Sequence, residues 1–178
     1  PTDFQGDIYD DVTFSVHFTP SATDVSLKKP TDNWTYNTKL PTTEVNGVQK
    51  HYMDVVIDGF DVNYDNFHRI MLQYKPSSGS DNDWTTLMSY YNDQTLYDQA
   101  VKNGMNAEMI KAADAGTIKY SWFMDDLQDQ RYDLRTVGTS MINNAEVYNY
   151  SAVHSGIKDM YNPRLFGSAQ PANGVLTV

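Results

Sequence analysis

The chain has 178 residues, which is enough for one sizeable domain with an extension. Its formal net charge of −10 argues against binding of nucleic-acid phosphates or anionic lipids, because no basic patch is available to neutralise them. No apolar run approaches the ~20 residues needed to span a bilayer, so we predict no membrane insertion. The chain contains no Cys, which excludes disulfides, zinc–thiolate sites and thiol nucleophiles, and its aromatic content of 13% is typical of an ordered protein.

Alternation of apolar and polar residues predicts a series of β-strands. Ile70, Leu72 and Tyr74 are expected to point inward from one strand, with Met71, Gln73 and Lys75 toward solvent. Met53, Val55 and Ile57 share a face of another strand. That strand is expected to end at Asp58-Gly59. The predicted strands cover residues 12–19, 50–57, 69–75, 84–91, 118–124, 132–137 and 145–153. The expected core includes Val12, Phe14, Val16, Ile70, Leu72, Trp84, Tyr132 and Leu134.

One segment, residues 94–114, has apolar residues at helical spacing. Gly104 is expected to split it into two short helices, and Gly116 follows it. The apolar positions are Leu96, Ala100, Val101, Met105, Met109 and Ile110. The sequence therefore predicts an all-β, antiparallel β-sandwich with a short helical insertion.

Two segments resemble a known family. Residues 70–75 (IMLQYK), followed by Trp84, look like the third strand of a fibronectin type III domain and what comes after it. Residues 132–135 (YDLR) resemble the penultimate strand of that family. The resemblance implies that Tyr132 packs at a corner of the sandwich and bonds its hydroxyl to nearby backbone. It covers roughly residues 12–153, and the insertion at 94–114 departs from the family pattern.

The end of the chain carries a second resemblance. Residues 159–176, with Pro163, Pro171 and Asn173-Gly174, resemble the opening of a bacterial immunoglobulin-like domain. Together the two resemblances are similar to tandem modules in very large surface or secreted proteins of Bacteroidetes. They imply an extracellular or cell-surface parent. We expect residues 1–11 to be an extension or linker, 12–153 the fibronectin type III-like sandwich, and 154–178 a linker with the first strand of the next module.

The best candidate for an ion site is the run from Asp58 to Asp65. Asp61, Asn63 and Asp65 alternate as in a loop that directs oxygens at one centre, and calcium takes 6–8 such oxygens. The run lacks the Gly and the bidentate Glu of the usual calcium loop. An ordinary strand edge with its polar face outward is the alternative.

Exposed aromatic residues are candidates for ligand binding, because sugar-binding sandwiches present Trp and Tyr rings to pyranose faces. Trp34 and Tyr36 lie in a polar segment and are the preferred candidates. The wider set also includes Trp84, Tyr90, Tyr91 and Trp122, although Trp84 and Trp122 lie where a sandwich core would need bulk.

The sequence shows no nucleotide-binding glycine motif and no Gly-x-Ser-x-Gly, and we predict no enzymatic activity. The leading hypothesis is a structural spacer in an adhesive or filamentous assembly, whose partners are neighbouring domains or copies of itself. Insertion of Val175–Val178 into a neighbouring copy is one route to such an assembly. The alternative is a module that binds a glycan or a host protein.

Overall fold

The structure is a computed structural model that describes residues 27–32, 40–60, 67–111, 116–128 and 130–158. This part of the chain consists mainly of β-strands with one short α-helix. In chain order the strands are β1 (Thr31–Asp32), β2 (Thr42–Val45), β3 (Val48–Asp58), β4 (Phe67–Pro76), β5 (Thr85–Tyr91), β6 (Ala107–Met109), β7 (Thr117–Phe123), β8 (Arg131–Ile142), β9 (Ala145–Tyr150) and β10 (His154–Lys158). The helix α1 (Gln94–Lys102) lies between β5 and β6, and a 3-10 turn (Asp81–Asp83) precedes β5.

The strands form two sheets. In the smaller sheet, β3 is central and pairs antiparallel with β1, β2 and β7. In the larger sheet the order is β10-β8-β4-β5-β6, and β9 also pairs with β8. The larger sheet is antiparallel except for the short parallel pair β5–β6. The long β8 thus has β4 on one side and both β9 and β10 on the other.

Two hairpins turn on asparagine residues. Asn46 and Gly47 connect β2 to β3 with φ of 51° and 80°, and Asn143 and Asn144 connect β8 to β9 with φ of 51° and 62°. Two-residue hairpin turns of type I′ require positive φ at both positions, which Asn and Gly tolerate best. The second turn fixes the register of β9 on β8 and so decides which β9 side chains share a face.

The core lies between the two sheets. Met53, Val55 and Ile57 of β3 are at most 1% exposed, as the alternation predicted, and Ile70 and Leu72 of β4 are fully buried. One continuous apolar cluster includes residues from both sheets. Packing of two sheets through their inner faces explains the alternation on each strand.

Three aromatic rings join the sheets at one end of this core. Trp122 of β7 lies 5.5 Å from Tyr74 of β4 and 5.6 Å from Tyr132 of β8, measured between ring centroids. Tyr74 and Tyr132 are 5.9 Å apart. The Tyr132 hydroxyl donates a hydrogen bond of 2.9 Å to the backbone carbonyl of Gln128, which ties the start of β8 to the preceding turn. The burial predicted for Tyr132 and Leu134 is confirmed.

The prediction that Trp84 lies in the core is wrong. Its ring contacts the cationic groups of Lys75 and Arg135 on the side of the larger sheet that faces away from the smaller sheet, here called the outer face. Met71 and Lys75 share that face, as predicted, but both are buried, at 4% and 8% exposure. Lys75 is tolerated there because its ammonium group lies 3.6 Å from the Asp133 carboxylate.

The helical prediction for residues 94–114 is correct only for its first half. The helix ends at Lys102, and Gly104 then adopts φ of +73°, which a right-handed helix cannot include. The chain reverses there and β6 pairs with β5, with Ala107 opposite Ser89. Val101 and Met105, two of the apolar residues at helical spacing, are 48% and 42% exposed.

The predicted end of the sandwich at residue 153 is too early. Residues 154–158 form β10, which pairs with β8, and Ile157 is fully buried in the core. Strand β9 in turn ends at Tyr150 rather than at residue 153. The predictions for residues 12–19, including Val12, Phe14 and Val16, for the 1–11 extension and for the tail beyond residue 158 concern chain outside the described residues.

Replacing Leu72 tests the position of the core. The Leu72→Ala variant should lower the free energy of unfolding by about 2–5 kcal/mol, because it leaves a cavity between the sheets. Val48→Ala is the matched control, since Val48 is 56% exposed, and it should cost less than about 1 kcal/mol. Urea unfolding monitored by circular dichroism measures both. Equal effects of the two variants would contradict the strand facing described for β4.

Candidate ligand-binding surface

Most of the predicted site residues lie in segments that the structure does not describe. Trp34 and Tyr36 are among them, as are Asp61, Asn63 and Asp65 of the calcium hypothesis. Asp58 is described: it ends β3, and its carboxylate lies 3.8 Å from the Lys28 ammonium group. Within the described ranges no three His, Asp or Glu side chains are grouped so that they could hold a metal ion. The calcium site stays a prediction.

Three of the other aromatic candidates are buried and cannot form a binding face. Tyr90, Tyr91 and Trp122 are 3%, 5% and 2% exposed. Trp122 belongs to the core between the sheets, as noted above. Tyr91 lies on the outer face, where its hydroxyl accepts a hydrogen bond of 3.1 Å from Arg69.

Two tyrosines that the sequence reasoning did not select are exposed. Tyr148 and Tyr150 on β9 are 47% and 54% exposed, and their rings are parallel to within 15° with centroids 6.4 Å apart. They share a face because they are two residues apart on one strand, opposite Thr139 and Val137 of β8. The sequence signal was present: Glu146, Tyr148 and Tyr150 alternate along the strand predicted for residues 145–153.

Arg135 extends these rings into a longer row. Its guanidinium carbon lies 4.4 Å from the centroid of the Tyr150 ring and 4.1 Å from that of Trp84. Both distances are within the range of a cation–π contact. Arg135 also donates a hydrogen bond of 2.9 Å from Nε to the Gln73 side chain, which fixes the guanidinium plane. Trp84, Arg135, Tyr150 and Tyr148 are called the aromatic row below.

Glu146 anchors the far end of the aromatic row. Its carboxylate accepts two hydrogen bonds from Arg69, of 2.6 Å from Nε and 3.0 Å from Nη2. Nδ1 of His68 lies 3.0 Å from the same carboxylate, and the Tyr148 hydroxyl donates to it at 3.3 Å. The outer end of Tyr148 is therefore tied to a rigid, charge-assisted cluster.

Burial and nearby charges shift the pKa of Glu146 in opposite directions. Loss of hydration raises the pKa of a buried carboxyl group, but the hydrogen bonds from Arg69 and Thr139 and the charges of Arg69 and His68 outweigh it. The pKa of Glu146 is therefore lowered from its usual value of 4.5. At Arg135, loss of hydration has the larger effect and lowers the pKa of the guanidinium group, although Tyr150 and Asp81 oppose it.

The cations of the outer face differ in their partners. Arg69 is paired with Glu146, and Lys75 with Asp133. Arg135 forms a hydrogen bond only to the neutral Gln73 and makes no salt bridge within the described part of the chain. Asp81 acts on it through space without contact. The aromatic row thus combines two exposed tyrosines with a positive charge that no carboxylate of the described residues neutralises by contact.

No helix among the described residues is long and apolar enough to cross a membrane. Comparison with protein-family models, with curated proteins and with solved structures finds no match to this chain.

The charge on Glu146 gives a pH-dependent prediction. Glu146→Gln should destabilise the protein by about 1–3 kcal/mol at neutral pH, because Arg69 and His68 lose a charged acceptor. The folded-state pKa is lowered, so the wild-type advantage is present above the usual value of 4.5 and is lost as the pH falls through the folded-state pKa. Urea unfolding of both proteins across this range measures the difference. A difference independent of pH would show that the carboxylate charge is not its cause.

Proposed function

We propose that this chain is a non-catalytic, fibronectin type III-like module of a large extracellular or cell-surface bacterial protein. Its role is that of a structural spacer in an adhesive or filamentous assembly, and its partners are neighbouring domains or copies of itself. The observation that carries this proposal is the order of the strands in the two sheets.

The strand order supports an immunoglobulin-type sandwich. In such folds strands B and E are neighbours in one sheet, and C, F and G follow one another in the other. Here β3 pairs with β7, and β4 pairs with β8, which pairs with β10. In the proposed fold these strands correspond to B, E, C, F and G, and β5 corresponds to C′ beside C.

Tyr132 adds a second, independent similarity. In these sandwiches a tyrosine near the start of strand F bonds its hydroxyl to backbone a few residues upstream. Tyr132 is the second residue of β8 and donates to the carbonyl of Gln128, four positions earlier. Its 3% exposure fits a residue that closes a corner of the sandwich.

The attachment of β10 suits a role under tension. Asp133 of β8 accepts hydrogen bonds from the backbone N–H of Gly156 at 3.0 Å and from the Ser77 hydroxyl at 2.6 Å. Burial raises the pKa of its carboxyl group, but these bonds and the nearby Lys75 outweigh that effect and lower it. The carboxylate therefore stays charged at neutral pH and connects the last described strand to the neighbouring loop.

A second candidate function is supported by a different observation. Tyr148 and Tyr150 present two parallel, half-exposed rings on one face of β9. Rigid aromatic side chains of this kind are typical contact residues of binding surfaces. A module that binds a glycan or a host protein is therefore the alternative, with these two residues as contact residues, and the predictions for Trp34 and Tyr36 stay untested.

Pulling experiments test the spacer role. With residues 1–178 held between two reference domains, force spectroscopy should show one unfolding event, with a length gain of roughly 3.3–3.6 Å per released residue. Asp133→Asn should lower the unfolding force, because the bonds that hold β10 are weakened. Asp126→Asn is the control, since Asp126 is exposed and its carboxylate pairs with the Lys50 ammonium group at 3.3 Å, away from β10.

Two results would contradict the spacer role. One is extension in several small steps at forces well below those of the reference domains. The other is an equal effect of the Asp133 and Asp126 variants, which would remove the proposed contribution of the β10 attachment.

A further inference from the structure

The open end of the aromatic row has two chemically different parts. Tyr148 and Tyr150, which are 47% and 54% exposed, offer apolar ring surface. Arg135 offers positive charge and the N–H donors of its terminal nitrogens, because its Nε is already bonded to Gln73. A ligand that uses both parts needs an apolar, ring-shaped body and an anionic group beside it.

From this combination we propose that Tyr148, Tyr150 and Arg135 form a binding site for carboxylated sugars, that is, for glycans that contain uronic acid units. The C–H groups of a pyranose pack on the exposed parts of the Tyr148 and Tyr150 rings, since one face of the Tyr150 ring already carries the Arg135 guanidinium. The carboxylate accepts hydrogen bonds from the guanidinium group, whose planar fork matches its geometry. This inference depends on the second candidate function, the binding module.

The pairing of the cations on the outer face favours an acidic sugar over a neutral sugar as the ligand. Arg69 and Lys75 already have carboxylate partners, whereas Arg135 makes no salt bridge among the described residues. A guanidinium held between two rings has lost part of its hydration, which is consistent with the lowered pKa of Arg135. An incoming carboxylate would regain that lost electrostatic stabilisation.

The rigidity of the row favours binding, because little side-chain entropy remains to be lost. Arg135 is held between Trp84 and Tyr150, and Tyr148 is tied through its hydroxyl to Glu146. The site also has polar surroundings, since Asn144 and Glu146 lie on the same hairpin. These features fit a sugar better than a protein partner, which would need a wider apolar surface.

The experiment is a titration of isotope-labelled residues 1–178 with a short oligogalacturonate, followed by NMR. The control ligand is the same oligosaccharide with its carboxylates methyl-esterified, which keeps the rings and removes the charge. We expect chemical-shift changes centred on β8 and β9, and binding at least about tenfold weaker for the ester. Shifts that are absent, or that centre on another part of the chain, would overturn the proposal.

Variants assign the two parts of the site. Arg135→Gln should weaken binding of the acidic sugar to about the level of the ester, and Tyr150→Ala should abolish binding of both. Tyr97→Ala on α1 is the tyrosine control, because it lies away from the row and should leave binding unchanged. If a variant does not fold, the comparison of the two sugars on the wild-type protein still decides the question.

The other possible results distinguish failure of the proposed sugar site from failure of the binding module and of the spacer role. Equal binding of acid and ester, lost in Tyr150→Ala, would overturn the carboxylate preference and leave the binding module standing. Displacement of the sugar by an acidic peptide of similar affinity would overturn the proposal that the ligand is a glycan, and would indicate a protein partner. Absence of binding to either sugar would overturn the inference, while the pulling experiment tests the spacer role separately.

Discussion

The packing of the two sheets against each other is the constraint on which the rest of the structure depends. Neither sheet could bury its inner face alone, and the continuous core exists only because β3 and β7 lie over β4 and β8. The cluster of Trp122, Tyr74 and Tyr132 fixes this contact at one end, since its three rings come from both sheets. The start of β8, held by the Tyr132 hydroxyl, takes its position from that cluster.

The position of β8 determines which side chains meet on the outer face. Because β8 is long enough to pair with both β9 and β10, it carries the attachment of the last described strand and also the aromatic row. Charged side chains hold both features. Asp133 with Lys75 anchors the loop and β10, while Glu146 with Arg69 anchors β9 and Tyr148. One strand thus connects the proposed mechanical role with the proposed binding role.

Much of the core could be predicted from the sequence because a period of two residues is a local property. Met53, Val55 and Ile57 alternate cleanly and are buried, and Ile70 and Leu72 behave in the same way. The helical segment was less predictable, since apolar spacing alone cannot show where a helix stops. The left-handed conformation of Gly104 and the pairing of β6 with β5 are set by contacts elsewhere in the chain.

The candidate site was harder to predict for a related reason. Trp84 was expected in the core because large apolar residues are usually buried there, but its partner Arg135 is distant in sequence and lies on the outer face. Tyr148 and Tyr150 alternate as buried strand residues would, and only the edge position of β9 shows that they are open. Edge positions depend on topology, which one sequence does not reveal.

The most direct test of the sheet packing is a measurement of nuclear Overhauser effects between aromatic side chains. Packing of the two sheets through this cluster predicts strong cross-peaks from the Trp122 ring to the rings of both Tyr74 and Tyr132, whose centroids lie within 6 Å of it. The strand pairing also predicts backbone cross-peaks between β8 and β10. Absence of the Trp122 cross-peaks in a well-folded sample would show that the two sheets do not pack through this cluster, and would contradict the sandwich.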